Sequence, residues 1–207
     1  MTMDYLLKKS NFSTIYNMKK ILCEDQLFEN IDYTNNTLDF EEFDNCNFVN
    51  CNFNNASLSA ISFSECTFEN SDLSMIKTHD TSLKDVKFIN CKMHGIIFSN
   101  CNSFLFEVSF KNCQLDFSSF YNLKMKKTYF DNCNLKEVDF SETDLTESKF
   151  AKCDLDLAIF ENTNLSKADL RTASNFEIDP ENNIIKNARV SASDLIGFLK
   201  RYNLKIN

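Results

Sequence analysis

Large apolar side chains recur at every fifth residue from Tyr33 to Leu170. The beat runs Tyr33, Leu38, Phe43, Phe48 and Phe53, and on to Met93 and Phe98. It slips by two residues, then resumes as Leu105, Phe110, Leu115, Phe120 and Met125, through to Leu165 and Leu170. Only Thr78 interrupts it with a polar side chain. A helix repeats near 3.6 residues and a flat strand at 2. A period of five fits neither. It predicts a chain that turns a corner every five residues and points one large side chain inward each time. Two residues before each large residue sits a small or β-branched one, such as Cys46, Cys51, Ala56, Ile61 and Cys66. The remaining positions are mostly Asn, Asp, Glu, Lys and Ser. Two residues in five point in and three point out.

The stretch DFSETDLTESKFAKCDLDLAIFENTNLSKADL, Asp139–Leu170, resembles the repeat unit of the pentapeptide-repeat family. The resemblance implies an all-β solenoid: a right-handed quadrilateral β-helix with four pentapeptides per coil. Residues twenty apart then stack, so Phe110, Phe130 and Phe150 form one column and Leu115, Leu135 and Leu155 another. The expectation is about seven coils over residues 33–170, a rod roughly 34 Å long at the inter-strand spacing. From Leu105 to Leu165 Phe alternates with Leu or Met. That places Phe on two opposite faces and smaller side chains on the other two, filling a narrow interior evenly. Two glycines and one proline in 207 residues are too few for a sheet protein with Gly-dependent turns. Asn, Asp and Ser supply the corners by bonding to nearby backbone.

The pattern divides the chain into an N-terminal cap at 1–27, a β-helix at 28–175 with a short insertion near 99–107, and a C-terminal cap and dimerisation module at 176–207. Apolar residues in Thr14–Phe28 have roughly helical spacing, which predicts a helical lid. At the other end, Ser191-x-x-Asp194 resembles a capping box. It opens a short helix whose apolar face is Leu195, Ile196, Phe198, Leu199 and Tyr202, with a strand-like Leu204–Ile206 behind it. At the slip, Phe104, Leu105 and Phe106 stand in a row, and only one of them can take the inward beat. Thr78 marks either a bulge or a hydroxyl bonded to a neighbouring carbonyl.

Charge and chemistry sharpen the picture. The formal net charge is −8, with carboxylates spread over outward positions. Such a surface repels nucleic acid and attracts basic partners. It also keeps a domain soluble. Eight of the nine cysteines sit on the inward small-residue beat, Cys23 excepted, and no CxxC pair offers a zinc site. Packed, reduced thiols are expected, and with them a cytoplasmic protein. The start of the chain lacks the apolar core of a signal peptide, and no apolar run approaches a membrane span. His79 and His94 have no Cys or carboxylate at triad or ligand spacing, and no phosphate loop, nucleophile elbow or dinucleotide fingerprint is present. No enzyme activity, cofactor or metal is expected.

The tail Asp169–Ile206 resembles the C-terminal module of Qnr-like pentapeptide-repeat proteins. These protect DNA gyrase and topoisomerase IV from quinolones. The resemblance implies a tail-to-tail homodimer through Leu195, Ile196, Phe198, Leu199 and Tyr202. It implies an acidic rod that mimics duplex DNA, binds gyrase or topoisomerase IV, and does not itself bind nucleic acid. The partner-binding residues would be Asp139, Glu142 and Asp144, with Phe104, Phe106 and Glu107 at the slip standing in for the longer loop of some relatives. A monomeric end cap and a general interaction scaffold are the alternatives. A continuous acidic stripe favours mimicry; interspersed lysines such as Lys124, Lys126, Lys127 and Lys149 would break it.

Overall fold

A computed structural model describes residues 21–35, 38–202 and 204–205 of the chain. The chain winds into a four-sided parallel β-solenoid. Face 1 begins as a four-stranded sheet: β1 (Leu22–Glu24), β3 (Glu42–Asp44), β5 (Ser62–Ser64) and β7 (Ser82–Lys84). Face 2 is a seven-stranded sheet: β2 (Leu27–Glu29), β4 (Asn47–Val49), β6 (Thr67–Glu69), β8 (Val86–Ile89), β9 (Val108–Lys111), β10 (Tyr129–Asp131) and β11 (Lys149–Ala151). Every pairing is parallel, and most join residues twenty apart, such as Phe43 with Phe63 and Phe130 with Phe150. Across the slip the step becomes 22, from Phe88 to Phe110. Faces 3 and 4 are tied by single-residue bridges, such as Asn134 to Asp154 and Asp139 to Ile159. Bridges from Lys149 to Asp169 to Arg189 carry face 2 beyond β11.

The corners explain the beat. Almost every fifth residue is left-handed, from Asn30 through Asn45, Asn50 and Asn55 to Lys167, with φ between 49° and 64°. An ordinary L-residue there costs about 1–2 kcal/mol, and Asn tolerates it best. Six corners between faces 2 and 3 are therefore asparagines: Asn30, Asn50, Asn70, Asn90, Asn112 and Asn132. Their amides form a ladder, with Asn132 Nδ2 donating to Asn112 Oδ1 at 2.9 Å and Asn112 Nδ2 to Asn90 Oδ1 at 2.9 Å. The Asp or Asn before the inward residue closes the turn from the other side. Its carboxylate or amide oxygen accepts the N–H two residues on, as in Ser74 to Asp72 at 2.9 Å and Ser166 to Asn164 at 3.0 Å.

Inside, the expected columns form. Phe110, Phe130 and Phe150 stack with centroids 5.2 and 5.0 Å apart and rings within 8° of parallel. Phe120 and Phe140 stack on face 4 at 5.4 Å. In this half, Phe occupies faces 2 and 4 while Met125, Leu145, Leu135 and Leu155 fill the other two. Rings from the two columns meet edge-on, at 70° for Phe110 and Phe120, the arrangement that ring quadrupoles favour. The first half distributes its rings differently: Phe43 and Phe63 on face 1, Phe48 and Phe68 on face 2, with Leu58 and Thr78 opposite on face 4. Thr78 is buried, and its hydroxyl donates to the Ile97 carbonyl at 2.7 Å. The hydroxyl reading is the right one.

The second inward column is a row of small donors. Thr81, Thr143 and Thr163 each donate to the carbonyl 23 residues earlier at 2.8 Å. Cys66 and Cys153 do the same with their thiols at 3.5 Å. This explains the cysteine count without redox chemistry. All nine are free and buried, Cys23 included. Burial pushes the thiols of Cys66 and Cys101 up to about 12.

The ends depart from expectation. Residues 22–24 and 27–28, expected in a helical lid over Thr14–Phe28, instead fall in strands β1 and β2. Leu22 and Leu27 are exposed here and Cys23 is buried, so alternation along a strand mimicked helical spacing. The rest of that lid, residues 14–20, lies outside the described residues. At the C-terminus, Ala192–Phe198 and Lys200–Tyr202 are 3-10 turns. Ser191 Oγ bonds to the Asp194 carboxylate and not to backbone. Gly197 lets this segment lie against the last coil: a Cβ there would fall 2.5 Å from the ring and the carbonyl of Phe176.

Replacing Phe130, which is fully buried, with Ala should cost roughly 3–5 kcal/mol in denaturant unfolding. A loss under about 1 kcal/mol would mean the columns are not packed as described. Native protein should also resist thiol-modifying reagents at neutral pH, because all nine thiols are buried out of the reagent's reach. Unfolded protein should expose all nine.

Candidate interaction surface

The interior is filled with side chains, so ligand chemistry is confined to the outside. A concavity of about 440 Å³ is an open groove between the last coils and the cap, lined by Leu157, Ile159, Ile178 and Arg201 among others. Among the described residues, no group of three or more His, Cys, Asp or Glu is placed to hold a metal ion. No described helix is long and apolar enough to cross a membrane.

Charge is sorted by face. On faces 3 and 4 of the second half, the outward carboxylates are Asp116, Glu137, Asp139, Glu142, Asp154, Asp156 and Glu161, with Lys136 as the single lysine. On faces 1 and 2 of the same coils Lys111, Lys124, Lys126, Lys127, Lys149, Lys152, Lys167 and Arg171 outnumber Asp131, Asp144, Glu147 and Asp169. In the first half this polarity is reversed on faces 1 and 2, where Glu24, Asp25, Glu29, Asp44, Glu65, Glu69 and Asp85 predominate. The rod is therefore not a uniform polyanion. The lysines leave faces 3 and 4 acidic and interrupt the others.

The predicted binding carboxylates fall on both kinds of surface. Asp139 lies on face 4, with one oxygen accepting the Ser141 N–H at 2.9 Å and the other near Ser119 Oγ at 3.3 Å. Glu142 sits at the next left-handed corner, with φ 57°. Asp144 is round that corner on face 1. Burial raises its carboxyl, but bonds from Thr146 and the Lys126 ammonium, 3.3 Å away, outweigh this and hold it below the usual carboxylate range. Asp154 behaves likewise, with Asn175 and Lys136, the latter at 3.2 Å, overcoming burial. The aspartates thus serve the turns first, and the corner and outer glutamates are the more exposed charges.

Apolar side chains stand among these carboxylates. Phe117 is 61 % exposed and Leu157 66 % exposed, both at left-handed corners between faces 3 and 4. Tyr121 and Ile159 are exposed on face 4 beside them. A hydrogen bond to Glu142 raises the Tyr121 phenol above its ordinary value. A large apolar residue in a left-handed corner costs conformational energy and leaves apolar area in water. Strain of that kind concentrates at functional sites.

At the slip, Phe106 takes the inward place. It is 8 % exposed and packs edge-on to Phe98. Its expected role as a partner contact is overturned, because the interior needs one ring where Leu83 stands a coil earlier. Leu105 leaves the beat: it is left-handed and exposed, and Phe104 is 75 % exposed. Glu107 is part of the ladder, its N–H donating to the Leu83 carbonyl at 2.9 Å. At the C-terminal end Leu195, Ile196, Leu199 and Tyr202 are exposed, while Phe198 is half-buried against Phe176, 5.4 Å away. One pair escaped the sequence reading. His94 Nδ1 lies 2.7 Å from Asp116 Oδ2, joined across adjacent coils by a separation of 22 residues. A twenty-residue stacking rule corrected for the slip would have found it.

The parallel ladders and the side-chain-filled core define a four-sided β-solenoid. A model described as pentapeptide repeat region matches residues 41–120 and 102–179, and the chain belongs to that family. No curated protein sequence matches the chain. Among solved structures, trypsin-treated QnrB1, described as a plasmid-mediated fluoroquinolone resistance protein, aligns at 14 % identity and TM-score 0.58. The alignment covers 91 % of this chain and 100 % of that one. HetL of Nostoc sp. Strain PCC 7120, a pentapeptide-repeat protein involved in heterocyst differentiation regulation, aligns at 14 % identity and TM-score 0.57, covering 84 % and 88 %. These likenesses establish the fold.

Phe117→Asn should raise stability by roughly 0.5–1 kcal/mol, since Asn relieves the left-handed corner. If the exposed ring is an anchor, the same change should weaken partner capture. A destabilised variant would show that Phe117 serves the fold.

Proposed function

We propose that this protein is an interaction rod that engages the DNA-binding surface of a type II topoisomerase, DNA gyrase or topoisomerase IV, as a mimic of duplex DNA. The observation that carries this reading is the acidic strip on faces 3 and 4 from Asp116 to Glu161. Carboxylates on successive coils are spaced by about 4.8 Å along the rod. They meet basic side chains of the enzyme in place of phosphates. Phe117, Tyr121, Leu157 and Ile159 add apolar anchors, which distinguish a protein-binding strip from a merely soluble one. The fold shared with a fluoroquinolone resistance protein supports the choice of target, and drug protection is its expected consequence. The exposed Leu195, Ile196, Leu199 and Tyr202 are the contact through which two copies join tail to tail, which lengthens the strip.

The test is a pull-down and supercoiling assay with each topoisomerase, with and without a quinolone. Glu137→Lys, Glu142→Lys and Glu161→Lys together should weaken binding at least ~10-fold at low salt, where screening is least, and leave the melting temperature nearly unchanged. Linear duplex DNA should compete. Binding that is insensitive to salt and to these changes would refute mimicry. No binding at micromolar protein would leave a rod with another protein partner. Leu195→Asp with Leu199→Asp should abolish tail-mediated dimers in sedimentation, and unchanged mass would exclude that contact.

A further inference from the structure

Face 1 carries a pattern that the proposed target does not use. Its charge reverses at the slip. Before the loop 103–105 its carboxylates are Glu24, Asp25, Glu41, Glu42, Asp44, Glu65 and Asp85 against Lys84; after the loop Lys124, Lys126, Lys127, Lys167 and Lys186 outnumber Asp144 and Glu147. The loop divides the face evenly. Four rungs precede it, stacked as Leu22, Glu42, Ser62 and Ser82. Four follow, stacked as Lys124, Asp144, Asn164 and Ile184. At the midpoint Phe104 and Leu105 project from the face, 75 % and 55 % exposed. They close one end of a groove of about 400 Å³ over β3, β5 and β7.

The geometry points to a second copy of this chain as the occupant of face 1, laid antiparallel, with a two-fold axis crossing the face at the 103–105 loop. Rotation about that axis reverses the order of rungs and keeps each column opposite itself. Leu22 then faces Ile184, and these are 46 % and 57 % exposed. Glu24 faces Lys186, Asp85 faces Lys127, and the two Phe104–Leu105 loops meet at the centre. The register also sets Lys84 against Lys126 and Glu65 against Glu147. Lys126 is already paired with Asp144 at 3.3 Å, and Glu147 with Lys167 at 2.9 Å, within the chain. The contact is isologous, so the acidic half of each copy meets the basic half of the other. A strip about 38 Å long at the coil spacing and one face wide lies at the small end of specific interfaces. The dimer is accordingly weak and salt-sensitive. This contact is independent of the topoisomerase reading and of the tail.

The test uses full-length protein carrying Leu195→Asp and Leu199→Asp, so that tail contacts do not contribute. Sedimentation equilibrium should show dimers that weaken at least ~10-fold between about 50 mM and about 500 mM salt. Two charge-reversed chains are then made. One carries Lys124→Glu, Lys127→Glu and Lys186→Glu; the other carries Glu24→Lys, Asp44→Lys and Asp85→Lys. Each alone should be monomeric, because like charges then face across the 24–186 and 85–127 pairs, and an equimolar mixture should dimerise again. Failure of the mixture to associate, or unchanged association of either variant alone, would overturn the proposal. If either variant does not fold, Phe104→Cys replaces it. With all nine native thiols buried, oxidation by copper phenanthroline should give a covalent dimer. A monomer after oxidation would overturn the proposal equally.

Discussion

One left-handed corner in every five residues is the constraint on which this molecule depends. It turns the chain through a side of the square. After four corners the backbone returns above itself, where its N–H and C=O groups find the coil below. The parallel ladder exists only because the corners recur at fixed spacing. The corners are tolerable because Asn, Asp, Glu and Lys hold most of them, aided by an Asx bond within the turn. Stacking then acts on every column alike. Rings lie on rings, asparagine amides bond to asparagine amides, and small inward hydroxyls and thiols satisfy carbonyls of the coil beneath. Each interaction is modest, and the repeat multiplies it along the rod.

The period of five and the twenty-residue stack were legible before any coordinate, because burial and corner geometry act on every unit. The Phe columns, the opposition of Phe to Leu and Met in the second half, and the inward place of the cysteines all follow from that period. What escaped the reading lies where the period breaks or where two coils combine. At the slip three large apolar residues compete, and phase counting picks Leu105, whereas the interior takes Phe106. At the N-terminal edge two short strands carry exposed leucines, so their pattern resembles a helix. His94 and Asp116 meet only when the slip is added to the twenty-residue step. The aspartates looked like surface charge because their turn bonds are invisible in a composition count.

The surface reading changed more than the fold. A net charge of −8 suggests a polyanion, yet folding sorts the charges by face. Sorting places carboxylates with exposed apolar residues on faces 3 and 4 of the second half, and lysines on the two faces behind. An acidic strip with apolar anchors suits a basic protein surface. A face divided into acidic and basic halves suits its own reversed copy. The two proposed partners have different addresses on one rod, because a solenoid presents its faces independently.

Hydrogen exchange of the rod with and without DNA gyrase measures the central claim most directly. The account predicts that gyrase slows exchange in the outward segments 114–122, 134–142 and 154–162, on faces 3 and 4, and leaves 124–132 and 144–152 on faces 1 and 2 unchanged. Protection confined to the lysine-bearing faces, or no change on any face, would contradict it.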